Sequence, residues 1–396
     1  MTQEPLSDLR AALHSEPSSE VWKTVQACIA SLDDASLNVG LEYAAEHLER
    51  WPDAMRHGAL VEMPEARWWP LVRYGYLNQH EDSNLLKLSG VLQLTKLRLG
   101  LYNNGYEATR MLSRGQVLPN LTELNLYDCW IHDSGLKSVV ESASFPNLAT
   151  LGCSRNAVTD AGMMGFVASP NLSNLADLRL SDNKIGPEGA RALASSAHLP
   201  SLTSIGLGLN AIGDEGAAAL AASEHLTGLA SLGVGRCGIG PDGIRALANS
   251  KHLIGLTQWV LSSNTIGHEG VEAMVSGPRL AHISWLCLNS GELDDQSAAA
   301  LAASGLLGSM ERLDLNWNSI GDEGAAALAA APELAGLTTL GLQNNQLTAE
   351  GLQALLQSPH LSALAHLDLR RNKNIDKEAA QAVIESFGRS GLDVRM

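Results

Sequence analysis

The chain has 396 residues, 45 % of them hydrophobic and only 4 % aromatic, with a net charge of −16. That acidity argues against nucleic acid and anionic membrane surfaces as partners, because their phosphates demand a basic footprint. No stretch is long and apolar enough to span a bilayer, and the length alone points to two or three domains unless the chain grows by repetition.

Residues 1–85 hold 14 acids against 6 bases, half of the net charge. The opening MTQEPLSDLRAAL lacks both a basic leader and an apolar core segment, so no signal peptide is expected. Amphipathic helices are expected over Leu6 to Leu13, Val21 to Ile29 and Leu37 to Leu48. A segment rich in proline and tryptophan follows, with Trp51, Pro52, Pro64, Trp68, Trp69 and Pro70. Tyr74, Tyr76, Leu77, Leu85, Leu86 and Leu88 then lead onward. Residues 1–85 read as a helical N-terminal cap, or as a small accessory domain that would expose Trp68 and Trp69 for docking.

From Leu94 the chain repeats every 27 residues, eleven times. The units open at Leu94, Leu121, Leu148, Leu175, Leu202, Leu229, Leu256, Ile283, Met310, Leu337 and Leu364, and are called repeats one to eleven. Each reads roughly L-x-x-L-x-L-x-x-(N/C)-x-(I/L/V). In the fifth repeat Ile205 and Leu207 alternate with Ser204, Gly206 and Gly208, the period of a short strand. Asn210 stands where the chain leaves that strand, and Asn156, Asn183, Asn264, Asn318, Asn345 and Asn372 share its slot. Their amides are placed to satisfy backbone groups in a buried bend, forming a stacked ladder.

A helix start follows each bend. Thr159, Asp294 and Thr348 occupy an N-cap slot, Pro187 and Pro241 the first helical position, and Glu188, Glu215, Glu269 and Glu323 the first turn, where the helix dipole favours acids. Gly189, Gly216, Gly243, Gly270, Gly324 and Gly351 recur just inside the helix. Alanine would be better there by about 1 kcal/mol, so the glycines imply a neighbour too close for a Cβ. The eighth repeat departs from the pattern, with Gly291 in the Asn slot and Ser297 in the Gly slot. Domain bounds are thus 1–85, then repeats over 86–391, then a terminal strand stub at 392–396.

The repeated N-x-I-G-(D/P)-E-G-A-x-A-L-A resembles the ribonuclease-inhibitor-like subtype of leucine-rich repeats. Ribonuclease inhibitor, the Ran GTPase-activating proteins and the repeat domains of NOD-like receptors share that subtype. The resemblance covers Leu94 to about Phe387. It implies an α/β fold: a curved, horseshoe-like solenoid with a parallel inner sheet and outer helices. It also implies a non-catalytic protein–protein interaction module in the cytoplasm, or alternatively a GTPase-activating regulator. No catalytic residue of those activators can be matched one by one, and no acidic tail follows the repeats.

Gly233 to Gly238 matches G-x-G-x-x-G, but repeat register places its glycines inside the strand of the sixth repeat, with Cys237 in the Asn slot, rather than in a phosphate-binding turn. No catalytic residue, cofactor or metal is therefore expected. His198, His225 and His252 stack in one slot; three imidazoles in line could hold a transition metal, although a histidine at a helix end also suits the last carbonyls. The five cysteines sit in repeat slots or helices and are expected as free thiols. The concave strand positions are bare at the centre (Gly206, Gly208, Gly233, Gly235), and their flanks hold Tyr127, Arg179, Trp285, Arg312, Asp314 and Trp317. Aromatic residues with arginine are common interface anchors. These six are the expected contacts to a protein or peptide partner, with Trp285 and Trp317 as solvent-accessible anchors on adjacent repeats and the chain a monomer on its own.

Overall fold

The computed structural model describes residues 4–48, 50–52, 55–59, 66, 72–78, 93–100, 105–114, 117–277, 282–387 and 390–396. Trp68, Trp69, Leu85, Leu86 and Leu88 lie outside them. Among the described residues fourteen parallel strands follow one another in chain order in one open sheet. The chain forms two compact units, Met1–Val158 with Ala168–Leu178, and Thr159–Val167 with Arg179–Met396.

The first unit opens with α1 (Glu4–Leu13), α2 (Ser19–Ser31) and α3 (Asp34–Leu48), in line with the three helices expected. Trp22, Val25 and Ile29 of α2 are fully buried, and the Trp22 indole donates to the His57 carbonyl at 2.8 Å. Two strands that the sequence reading did not anticipate follow, β1 (His57–Ala59) and β2 (Tyr74–Asn78). They pair in parallel with each other, and β2 pairs with β3 (Lys96–Gly100), so the sheet begins before the first 27-residue repeat. Then come α4 (Gly105–Arg114), β4 (Glu123–Asn125), α5 (His132–Val140) and β5 (Thr150–Gly152).

Next in the chain are α6 (Asp160–Val167) and β6 (Asp177–Arg179). The second unit continues with α7 (Pro187–Ala194), β7 (Ser204–Gly206), α8 (Gly213–Ala221), β8 (Ser231–Gly233), α9 (Pro241–Ala248), β9 (Gln258–Val260) and α10 (Gly267–Val275). It ends with β10 (Trp285–Cys287), α11 (Asp295–Ala302), β11 (Arg312–Asp314), α12 (Asp322–Ala329), β12 (Thr339–Gly341), α13 (Ala349–Gln357), β13 (His366–Asp368), α14 (Lys377–Phe387) and β14 (Asp393–Arg395). β14 pairs with β13, so Leu367 faces Val394 across the ladder.

A repeat has too little apolar surface to fold alone and buries it on its neighbours. Leu202, Ile205, Leu207, Ile212 and Leu220 of the fifth repeat are all buried, and the equivalent positions of repeats two to four and six to ten behave alike, whereas Asn374 and Ala382 of the eleventh are exposed. Three side-chain ladders then satisfy backbone groups that the bends and helix ends would leave unpaired. In the first, Asn264 accepts from the N–H of Cys237 (3.0 Å) and Ile239 (3.1 Å) in the preceding repeat and donates to the carbonyls of Val234 and Leu261, both at 2.8 Å. Cys237 keeps part of that role in its own slot, its thiol donating to the Leu207 carbonyl.

The second ladder explains the recurrent glycines. Asp214 at the start of α8 accepts from the N–H of Gly240 (2.7 Å) and Gly243 (3.0 Å), capping the helix of the next repeat. A Cβ on Gly243 would stand 2.5 Å from that carboxylate oxygen. Asp160, Asp295 and Asp322 do the same for Gly189, Gly324 and Gly351. The close neighbour that excludes a Cβ at these four glycines is thus a capping carboxylate. In the third ladder Ser196, Ser223, Ser250 and Ser358 donate to the last carbonyls of the preceding helix, at Val167, Ala194, Ala221 and Ala329.

Candidate functional site

On one face of a strand lie residues two apart. The register of β10 to β14 therefore lays two rows across the sheet. One row runs Trp285, Arg312, Thr339, His366, Asp393, and the other Cys287, Asp314, Gly341, Asp368, Arg395. β11 and β14 each carry an Arg and an Asp on this face, in inverted order (Arg312/Asp314 and Asp393/Arg395), and Asp368 of β13 is followed two residues later by Arg370.

Each arginine is held by a carboxylate two residues away. Arg312 Nε donates to Asp314 Oδ2 at 2.8 Å, and Arg395 Nε to Asp393 Oδ2 at 2.8 Å. Arg370, just past β13, grips Asp368 with two bonds of 2.9 and 2.6 Å. The bond from Arg370 holds the Asp368 carboxyl below the usual carboxylate range, and that from Asp314 raises the Arg312 guanidinium. A guanidinium held through one edge keeps its other N–H groups in fixed directions. Gly341 forms the floor between these pairs, and a Cβ there would meet the Asn316 side chain at 2.8 Å. Over it opens a cleft of about 440 Å³, with Arg312 and Asp314 on one side and His366, Asp368, Arg370 and Arg395 on the other.

Trp285 belongs to the wall of this cluster and is not the solvent-accessible anchor expected. It is half-buried, its indole donates to Asp314 Oδ2 at 2.9 Å, and the Arg312 guanidinium lies 5.0 Å from its ring centroid. Asp314, with two donors, is only 5 % exposed. The physical reason is local: an outward indole beside an acid and a cation folds onto them, satisfying its N–H and covering its faces. Trp317 is 46 % exposed, as expected, but it occupies a left-handed turn (φ 60°) past β11, and its partner is Arg371, 5.3 Å from the ring centroid. The two tryptophans thus serve different clusters. Arg179, at the end of β6, is exposed.

Tyr127 lies in the first unit, 42 % exposed, with the Arg155 guanidinium 5.9 Å from its ring centroid. Trp130, which the sequence reading passed over, is 49 % exposed there at φ 56°. His366, Arg371 and Arg395 were also passed over; the recurrence of an Arg and an Asp two residues apart, at 312/314, 368/370 and 393/395, was the available signal.

The remaining chemistry is structural. His198 and His225 are exposed and His252 half-buried, and their backbone N–H groups donate to Ser196, Ser223 and Ser250. Among the described residues no three His, Cys, Asp or Glu side chains group as metal ligands. Gly233 ends β8, a Cβ on Gly235 would stand 3.1 Å from the Ser262 carbonyl of the next repeat, and Gly238 takes a left-handed turn (φ 70°) with nothing within 4 Å of a Cβ. All five cysteines are free and buried. Burial pushes the Cys237 thiol up to about 11 and raises those of Cys153 and Cys287, the opposite of an activated nucleophile. No helix among the described residues is long and apolar enough to cross a membrane.

The family model described as Leucine Rich repeat matches residues 117–140, 171–194, 198–221, 255–275, 309–329 and 337–356. These segments are leucine-rich repeats. Among solved structures, the chain is similar to an internalin (inlF) from Listeria monocytogenes, with a TM-score of 0.50 and 20 % identity over 83 % of this chain and 81 % of that one. It is also similar to the structure of the Rad7 and Elc1 complex in yeast, with a TM-score of 0.47 and 14 % identity over 98 % of this chain and 92 % of that one. No curated protein matches the sequence.

Proposed function

We propose that this chain is a non-catalytic protein–protein interaction module, of the ribonuclease-inhibitor-like repeat subtype, which binds a protein or peptide segment on the strand face of its last four repeats. The observation that carries this reading is the cleft above Gly341, whose three guanidiniums are already oriented by same-face carboxylates. Side chains ordered before binding lose less conformational entropy on association. An extended segment laid across β11 to β14 would offer carbonyl and carboxylate oxygens to their remaining N–H groups. Trp317 and its companion Arg371 would meet the partner at the edge of the same face, and Arg179 and Tyr127 are proposed as further contacts. Cytoplasmic residence and a monomeric state belong to the same reading.

The test is capture of the partner from an extract of the source cell, followed by titration against variants. Arg370→Ala and Trp317→Ala, both changes of exposed side chains, should each weaken binding by about tenfold or more, as anchors of this type do. Glu350→Ala, on the helix side, should leave it unchanged. Full affinity in both face variants, with both folded, would place the partner elsewhere.

A further inference from the structure

The three ladders do not run unbroken through the second unit, and their gaps coincide at one junction. Between repeats seven and eight the Asn slot of the later repeat is Gly291, which has no side chain to reach back. The Asp slot of the earlier repeat is His268 instead of a capping carboxylate, and α11 caps itself, Asp294 accepting from the N–H of Ser297 at 2.9 Å. The serine of the later repeat, Ser304, donates to Leu301 in its own helix and not to Val275 of α10. The next junction, between repeats eight and nine, has Asn318 accepting from Gly291 and Leu293, and Asp295 accepting from Gly321 and Gly324. The one after has rungs from all three ladders, through Asn345, Asp322 and Ser358.

Two further observations fall on the same place. The buried side-chain nitrogens without a hydrogen bond among the described residues are Trp259 Nε1 and His268 Nδ1, both in repeat seven. Trp259 fills a slot where the other repeats carry Leu or Ile, so repeat seven buries a larger side chain and leaves its N–H unsatisfied. On the helix side a groove of about 880 Å³ opens at the ends of α10 and α11, reaching from Arg245 and Glu272 to Ala303 and Gly305.

The strand side of this junction is intact. β9 and β10 keep full register, with Leu261 N–H on the Cys287 carbonyl at 2.9 Å and Ser263 N–H on the Asn289 carbonyl at 2.7 Å. Ser262 Oγ and Cys287 Sγ add a contact of 3.1 Å. Among the described residues the strand edge keeps its full ladder, whereas the helix side has no rung of the three side-chain ladders and keeps one backbone bond, Gly267 N–H on the Gly291 carbonyl at 2.9 Å; that asymmetry is the geometry of a hinge.

We infer that the junction between repeats seven and eight is a built-in hinge. The β9–β10 ladder is its pivot, and opening separates α10 from α11. Opening exposes Val271, Met274, Ala298 and Leu301, all fully buried when it is closed. It also tilts repeats eight to eleven, and with them the cleft over Gly341, against repeats four to seven.

Hydrogen exchange of the full chain, read by mass spectrometry under conditions where opening limits exchange thermodynamically, tests this. Amides of α10 and α11 should exchange at least about tenfold faster than those of α8, α9 and α12, while amides of β9 and β10 keep the protection of β8. Asn318→Gly, which removes the Asn rung of the next junction, should speed exchange in α12 toward the rate of α11. Gly291→Asn should slow exchange in α10 and α11; its Cβ meets the Leu288 carbonyl at 3.0 Å, so that carbonyl must give slightly. Equal protection across α8 to α12 in the wild type, or no change in α12 with Asn318→Gly, would overturn the inference.

Discussion

Removing one rung of the asparagine ladder gives the sharpest energetic test of how the repeats are held together. Asn264 is 3 % exposed and joins four backbone groups of two repeats, two N–H groups through its Oδ1 and two carbonyls through its Nδ2. Asn264→Ala leaves the N–H groups of Cys237 and Ile239 buried in a dry bend. An unsatisfied buried donor costs about 1–3 kcal/mol, so the pair costs about 2–6 kcal/mol. The two carbonyls lose only one of their partners, and the deleted amide adds a small void, so about 4 kcal/mol is the expected total. Cys237→Ala, which removes one thiol donor at an equivalent slot, should cost about 1–2 kcal/mol beyond its lost burial. Urea unfolding followed by circular dichroism measures both, with the shift in midpoint at constant slope read as the stability change. A loss under 1 kcal/mol for Asn264→Ala, or a loss no larger than that of Cys237→Ala, would refute the view that the amide carries the bend.

The glycine slots make a paired prediction. Gly243→Ala should lower the thermal midpoint by the equivalent of about 1–3 kcal/mol, because its Cβ falls 2.5 Å from the Asp214 carboxylate. Gly165→Ala in α6, where nothing lies within 4 Å, should raise it by up to about 1 kcal/mol, and like signs for the two would contradict the capping account. The hydroxyl and N–H of Ser297 hold the Asp294 carboxyl below its ordinary value. A depressed carboxyl contributes stability above its unfolded value, near 3.9, and loses it as pH falls through the folded value. Ser297→Ala should therefore be less stable than wild type at pH 6. The part of that difference due to Asp294 should shrink as pH falls below the unfolded value, about 3.9, and be lost once pH has passed the folded value; a gap that stays constant through acid titration would refute the assignment.

What the sequence determined by itself is everything that depends on periodicity. A 27-residue recurrence of leucines, a two-residue alternation and an asparagine at each bend specify strands, helices and a shared core, since each pattern has one economical way to bury its apolar face. The asparagine ladder could be anticipated because a buried bend strands backbone groups and Asn has both a donor and an acceptor. The strands at His57–Ala59 and Tyr74–Asn78 were missed because they precede the repeat and share none of its spacing. The sequence also shows that serine, aspartate and glycine recur, but not that Asp214 reaches Gly243 or that Ser223 reaches Ala194. Those pairings depend on how far one helix is offset from the next, which the packing of Ile and Ala side chains beside the glycines, such as Ile239 and Ala217 at Gly243, sets. The candidate site divides in the same way. Alternation places Trp285, Arg312 and Asp314 outward, and the structure agrees. Only the lateral register, with β10 beside β11 and β11 beside β12, decides that the three close on each other and that Arg312 and Asp314 border the open cleft over Gly341. Distances of 5 Å between strands bring a side chain within reach of partners 27 residues distant, and its rotamer then decides between solvent and neighbour.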